Sequence, residues 1–506
     1  MSNHFFDKIR QSAPPAETLF LTTETGVSLN YGDLFARSAQ LANALTALGV
    51  EKGDRVAVQT HKAADCLMLY FACLRAGAVY LPLNTAYTPA EIAYFAGDAE
   101  PRLFVCDPAS HDSLVAALSG IAGMRIETLD PDGGGSLQQR ADTADKDFTD
   151  VSTGANDLAA ILYTSGTTGR SKGAMMTQDN LASNAEALVD TWRFTGEDVL
   201  LHVLPIFHTH GLFVATNTVL LAGASMLFAH RFDLDTTLSL FPKATALMGV
   251  PTHYSRLLSR SDFDRDLVGH MRLFVSGSAP LSAETHKAFA ARTGHAILER
   301  YGMTETGMIT SNPYDGERRP GTVGMPLPGV ELRIADPETG RLLLEGDIGI
   351  IEVRGPNVFT GYWRNPEKTA EEFRGDGFFI TGDLGRIDTE GYVAIVGRDK
   401  DLIITGGFNV YPAEVEAVLD ACPGIAESAV IGVPHPDFGE GVTAIVAANN
   451  GAQIDEAEIG AQLAGELAAF KHPKRIITVD ALPRNTMGKI QKNTLRDEYR
   501  DLYAAP

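Results

Sequence analysis

Cysteine, basic charge and long apolar runs are what these 506 residues have little of, and each shortage removes a class of protein. The four cysteines, Cys66, Cys73, Cys106 and Cys422, make no CxxC pair and no ligand cluster. That removes disulfide-stapled and zinc-ribbon scaffolds, and the expectation is four small buried hydrophobes in a reducing cytoplasm. No run approaches the ~20 apolar residues of a membrane span. Met1 to Arg10 lacks the apolar centre of a signal peptide, in keeping with a cytoplasmic chain. Lys and Arg total 42 against 64 Asp and Glu, a net charge of −22. Neither nucleic acid nor an anionic membrane is therefore expected as a partner, and any polyphosphate must be held by local cations.

What is present is a globular composition, 44% hydrophobic and 21% charged, in a chain too long for one core. Helical spacing over 31–49 and 64–76 alternates with strand-like runs at 55–59, 79–83 and 103–106. Thr88-Pro89-Ala90-Glu91 reads as a capping box with proline at the first helical position. Alternation of this kind predicts a largely parallel, covered sheet. The polar stretch Asp130 to Asn156 reads as a surface connection between two α/β subdomains. A second break is expected near Arg398, followed by a small α+β unit.

The most informative stretch follows the apolar run Leu158 to Tyr163, which reads as a strand buried on both faces. Thr164 to Gly173 (TSGTTGRSKG) holds three glycines, five hydroxyls and two cations with no acid. Inward-turning N–H groups, rotatable hydroxyls and a lysine make a phosphate cradle. It is not a Walker A loop, because Ser171 precedes Lys172 and Gly173 follows it. Nor is Gly169-x-Ser171-x-Gly173 a nucleophile elbow, since Thr164 to Arg170 separate the serine from its strand. His202, His208 and His210 invite a metal reading, but no cysteine or carboxylate at metal spacing accompanies them.

This string resembles the signature of the adenylate-forming superfamily, which contains acyl-CoA synthetases, peptide-synthetase adenylation domains and firefly-type luciferases. Glu299 to Glu305 (ERYGMTE), Ser276 to Pro280, Gly377 to Asp383, Gly397 to Asp401 and Pro483 to Lys489 resemble its other motifs. Phe378 stands where relatives often carry Trp. The likeness runs from about residue 30 to the C-terminus, and ILYTSGTTGRSKGAM, SGSAPL, ERYGMTET and PRNTMGKIQK look most like the malonyl-CoA-synthetase branch. It implies an adenylate-forming fold of the α/β and α+β classes. An ATP- and acid-binding domain over 1–398 would precede a mobile α+β domain over 399–506.

The resemblance also implies roles. Thr164, Ser165, Gly166, Thr167, Thr168, Gly169 and Lys172 would hold phosphates. Ser278, Ala279 and Pro280, with Glu299, Arg300, Tyr301, Gly302 and Met303, would form the adenine pocket, and Asp383 and Arg398 would take the ribose. Thr304 would reach a phosphate oxygen, Glu305 would bind Mg²⁺, and Lys489 would be the catalytic lysine. His208 would stand at the acyl-pocket wall, with a plain packed histidine as the alternative. Lys400 would be the hinge. Gly406, Gly407 and Phe408 would border the coenzyme A channel, with Lys471, Lys474 and Arg475 near its phosphates.

Fatty-acid and aryl members line the acyl pocket with apolar side chains, whereas Arg256 and Arg300 fall there in this chain. Two guanidinium groups are unfavourable in such a pocket unless an anion pairs with them. The alternative is an internal ion pair with Glu299 or Glu305. A second carboxylate on the substrate satisfies both arginines, so malonate or methylmalonate is expected beside ATP, Mg²⁺ and coenzyme A. A monomer or weak homodimer is expected, with Lys489 as a target for a lysine acetyltransferase. The rivals are a carrier-loading adenylation enzyme, a nucleotide sensor and a luciferase-like oxygenase.

Overall fold

The computed structural model describes residues 2–121, 123–164, 171–406, 408–449, 452, 454–485 and 488–504. Its first sheet has six strands in the order Arg125–Thr128, Leu103–Cys106, Arg55–Gln59, Val79–Pro82, Leu158–Thr164 and Lys172–Thr177. All neighbours are parallel except the last pair. The crossover helix Ala64–Ala76 is buried from Cys66 to its end, which is why its residues are apolar all round. The Thr88 capping box forms, with Thr88 N donating to Glu91 Oε2 at 2.8 Å.

The second sheet has nine strands, and its parallel centre runs Leu298–Met303, Leu273–Ser276, Ala246–Gly249, Val199–His202 and Ser225–Phe228. A four-stranded antiparallel sheet, Glu331–Ala335, Gly349–Arg354, Phe379–Ile387 and Val393–Arg398, follows. One continuous hydrophobic cluster joins these three sheets. From Ile403 onward the chain builds a separate sheet with two hydrophobic clusters of its own. Among the described residues no helix is long and apolar enough to cross a membrane.

The stretch Asp130 to Asn156 does not divide two subdomains. The strand after it joins the first sheet, with Ala160 opposite Tyr80. The stretch itself carries the helix Ser136–Asp142, which buries Leu137, Gln138 and Ala141. Gln138 Nε2 donates to Asp65 at 2.8 Å, and Asp150 pairs with the buried Arg75 at 2.6 Å. A handful of apolar contacts, one amide hydrogen bond and one ion pair suffice to pin a segment whose average composition is that of a loop. Leu137→Ala should therefore cost about 2–5 kcal/mol in urea unfolding, as core truncations do. A surface connector would lose less than about 0.5 kcal/mol.

Candidate active site

The site gathers where parallel strands of the second sheet end, the usual crevice of open α/β sheets. Strand pairing sets its first elements. Thr164 lies opposite Lys172, so the cradle's two ends are side by side. Ser165, Gly166, Thr167, Thr168 and Gly169 lie outside the described residues, as does Gly407. Lys172 Nζ lies 3.7 Å from Glu372 and 5.0 Å from the centroid of the Tyr362 ring.

Asp383 faces Arg398 across neighbouring strands, and Arg398 Nε meets its Oδ1 at 2.6 Å. Tyr301 donates its hydroxyl to the other oxygen, Oδ2. A carboxylate accepts about four hydrogen bonds, so both oxygens keep a lone pair free. Tyr301 leads into a hairpin whose Gly302 admits no side chain, because a Cβ there would meet Gly307 O at 2.1 Å. Met303 and Thr304 are half-buried, and Glu305 is buried 3.2 Å from the Tyr362 hydroxyl. Burial holds the Glu305 carboxyl above its ordinary pKa.

The acyl side is polar and unsatisfied. Arg300 is 3% exposed, and its Nε and Nη2 have no hydrogen-bond partner. Its guanidinium rests against Gly277, where a Cβ would come within 2.3 Å of Cζ. Burial, opposed by Tyr254 and Glu299, brings Arg300 down to about 9. Thr209 Oγ1, His210 Nε2, Ser276 Oγ and Glu299 Oε2 are likewise buried without a partner. Native cores pair nearly all such atoms, so these buried groups are open to a polar partner. Glu299 uses its other oxygen to accept from Leu281 N at 3.0 Å, and burial pushes its carboxyl up to about 8.

Neither Arg256 nor Arg300 has a carboxylate within ion-pair distance among the described residues, so the internal pairing with Glu299 or Glu305 does not form. Arg256 is exposed on the helix Pro251–Leu258, 5.1 Å from the Phe232 ring centroid. That ring stacks on His253 at 4.0 Å. Ser278 holds a left-handed φ of 70° while its hydroxyl lies 3.1 Å from His210 Nδ1. Beside it Ala279 is half-buried and Pro280 exposed.

The C-terminal loop reaches into the same cleft. Asn485 Oδ1 accepts from Lys489 N at 3.0 Å, and Gly488, at φ 76°, lies close to Thr252 of the Arg256 helix. The Lys489 ammonium faces the open cleft. Enclosure by the cleft walls and the charges of Arg398 and Arg300 lower its pKa, against Asp383 and Glu305. His208, half-buried, is pushed down to about 3 by burial, Lys489 and Arg300. The structure thus brings together Arg300, Asp383, Arg398, Glu305, His208 and Lys489.

Further out, Lys400 is exposed next to the Arg496–Asp401 ion pair. Gly406 turns at φ 57°, and Phe408, 56% exposed, stacks on Phe470. Lys471 is paired with Glu414, while Lys474 and Arg475 line a cavity of about 340 Å³ with His472 and Glu456. Among the described residues no three His, Cys, Asp or Glu gather at metal-binding distance. Sequence reasoning missed Tyr362 and Glu372, which join Glu305 to Lys172. They stand in an ordinary aromatic turn and helix, and no motif marks them.

Two segments match family descriptions: residues 8–363 an AMP-binding enzyme and residues 414–489 the AMP-binding enzyme C-terminal domain. ATP-bound MatB from Rhodopseudomonas palustris is 59% identical over 99% of this chain and 100% of its own, with a TM-score of 0.97. The apo form of that protein, at the same identity and coverage, scores 0.87. This chain's arrangement therefore follows the ATP-bound form. A malonate–CoA ligase from Arabidopsis thaliana is 32% identical over 98% of this chain and 84% of its own length. A feruloyl-CoA synthase from an Amycolatopsis species is 37% identical over 94% of each.

His253 is pushed down to about 3 by burial and Arg256. The unfolded chain protonates this imidazole near its ordinary pKa of ~6.5, the folded chain only near 3. Between these values the unfolded state binds more protons, so stability falls as the pH drops below ~6.5. Thermal midpoints measured at pH 7 and pH 5 should differ less in His253→Gln than in the parent protein.

Proposed function

The chain belongs to the AMP-binding enzyme family, and on that premise we propose that it is a malonate–CoA ligase. Malonate and ATP give malonyl-adenylate and diphosphate; coenzyme A then takes the acyl group and AMP leaves. The observation that carries the choice of acid is the buried Arg300 guanidinium with two unpartnered nitrogens. A monocarboxylate spends its only carboxylate on the reacting phosphorus and leaves that cation alone. A second carboxylate pairs with it, with Arg256 at the rim as the other half of the clamp.

In the first step a malonate oxygen attacks the α-phosphorus in line. Thr164, Ser165–Gly169, Lys172 and Thr304 hold phosphate oxygens. Ser278, Ala279, Pro280, Glu299 and the Tyr301–Met303 strand border the adenine, and the free lone pairs of Asp383 suit the two ribose hydroxyls beside Arg398. Glu305 with the substrate's phosphates would hold Mg²⁺, which neutralises phosphate charge when bound. One buried carboxylate fits that ion, which takes one or two carboxylates and completes its shell with phosphate and water. Lys489 offsets the repulsion between carboxylate and phosphate in the transition state. Neutral His208 orients the acid without adding charge.

The second step uses a rotation about Lys400 between residues 1–398 and 399–506. It withdraws Lys489 and brings Gly406–Phe408 over the cleft for the thiol's approach. The cytoplasm is the compartment this reading implies. Acetylation of Lys489 by a lysine acetyltransferase would remove the charge the first step needs.

Diphosphate release measured with acetate, malonate, methylmalonate, succinate, octanoate and ferulate should be confined to malonate and its methyl homologue. Arg300→Ala and Arg256→Ala should each abolish that preference, at roughly 3–5 kcal/mol for the buried arginine. Best activity with acetate or ferulate would overturn the clamp and leave the ligase chemistry standing. Lys489→Ala, or fully acetylated protein, should lose about 10²–10³-fold in diphosphate release. Transfer from supplied malonyl-adenylate to coenzyme A should persist in both samples.

A further inference from the structure

Four side chains form a line across the phosphate side of the cleft. The Tyr362 hydroxyl donates to Glu372 Oε2 at 2.6 Å and lies 3.2 Å from Glu305 Oε1. Glu372 Oε1 lies 3.7 Å from Lys172 Nζ and 3.0 Å from Lys368 Nζ. The Lys172 and Glu372 side chains are 16% and 22% exposed, so solvent screens their attraction only in part. A phenol has one proton to donate, and here two carboxylates compete for it. A change at Glu305 is therefore felt at Glu372, and through Glu372 at Lys172.

We propose that Tyr362 and Glu372 are positioning residues that couple divalent-cation binding to nucleotide binding, with Glu372 restraining Lys172 until the nucleotide arrives with its cation. This rests on the reading of Glu305 as cation ligand and Lys172 as phosphate contact. In the free protein Glu372 competes with the triphosphate for Lys172, which penalises ATP that comes without metal. With Glu305 engaged by a cation, the hydroxyl proton is left to Glu372 alone. Its charge is then partly neutralised and its hold on Lys172 loosens. The lysine turns to the phosphates, and the coupling runs equally in both directions.

Calorimetric titration of the intact protein with ATP, in EDTA and in Mg²⁺, reads the coupling as a ratio of dissociation constants, independent of turnover. Glu372→Gln should tighten metal-free ATP binding by about tenfold and shrink the ratio accordingly. Tyr362→Phe, which removes the hydroxyl and keeps the ring, should shrink the ratio too. In a Lys172→Met background Glu372→Gln should change nothing, a result that general loosening of the fold would not produce. An unchanged ratio in both single variants, or weaker metal-free binding in Glu372→Gln, overturns the proposal. Glu305→Gln separates the two readings. If it abolishes the Mg²⁺ dependence while the other variants behave as the parent, only the coupling falls. If it keeps the parent ratio, the cation-ligand reading falls and takes the coupling with it.

Discussion

A guanidinium taken out of water costs several kcal/mol unless something anionic meets it, and Arg300 has been taken out of water with part of its fork unmet. Much of the acyl side follows from that. Gly277 gives up its side chain so the fork can lie against backbone. His208 and His210 stay neutral because burial and the neighbouring cation both oppose a further charge. Glu299, adjacent in sequence, does not cancel the arginine. Successive side chains on a strand point to opposite faces, and Glu299 spends one oxygen on Leu281 N. That uncompensated charge is the ground on which a dicarboxylate is proposed as the substrate.

The phosphate side solves the converse problem. A chain of net charge −22 that is proposed to hold a polyanion has a few cations in the cleft, and strand pairing sets the positions of two of them. Lys172 stands opposite Thr164 in one hairpin, and Arg398 opposite Asp383 in another. Lys489 comes from a third place altogether, the C-terminal loop. Its neighbours Arg398 and Arg300 repel it, while Asp383 and Glu305 draw it in.

Most of the regular structure was legible in the residues. Arg55–Gln59, Ala64–Ala76 and Leu103–Cys106 lie where the apolar pattern puts them. The ERYGMTE string is local, and the structure sets its Arg300 and Glu305 in one cleft with Asp383, Arg398 and Lys489, whereas Ser165 to Gly169 lie outside the described residues. What was not legible depends on long-range pairing. Asp130 to Asn156 has the composition of a linker, yet Leu137 and Ala141 bind it to the first sheet. Tyr362 and Glu372 come between Glu305 and Lys172 only through the fold, since these lie 57 and 200 residues away along the chain from Tyr362 and Glu372 respectively. The missing partners of Arg300 could be suspected from sequence, but only the packing shows that Glu299 turns elsewhere.

The closeness of Gly277 to Arg300 has an evolutionary side. Alanine differs from glycine by one nucleotide in any codon, and its methyl at 277 would stand where the guanidinium now lies. If Arg300 holds the second carboxylate as proposed, a lineage leaving dicarboxylates for simple acids needs no remodelled pocket as its first move. One methyl group displaces the cation, and selection can then refill the space with apolar side chains. Under the proposed clamp, this chain's choice of acid then depends on a position that contributes no side chain of its own.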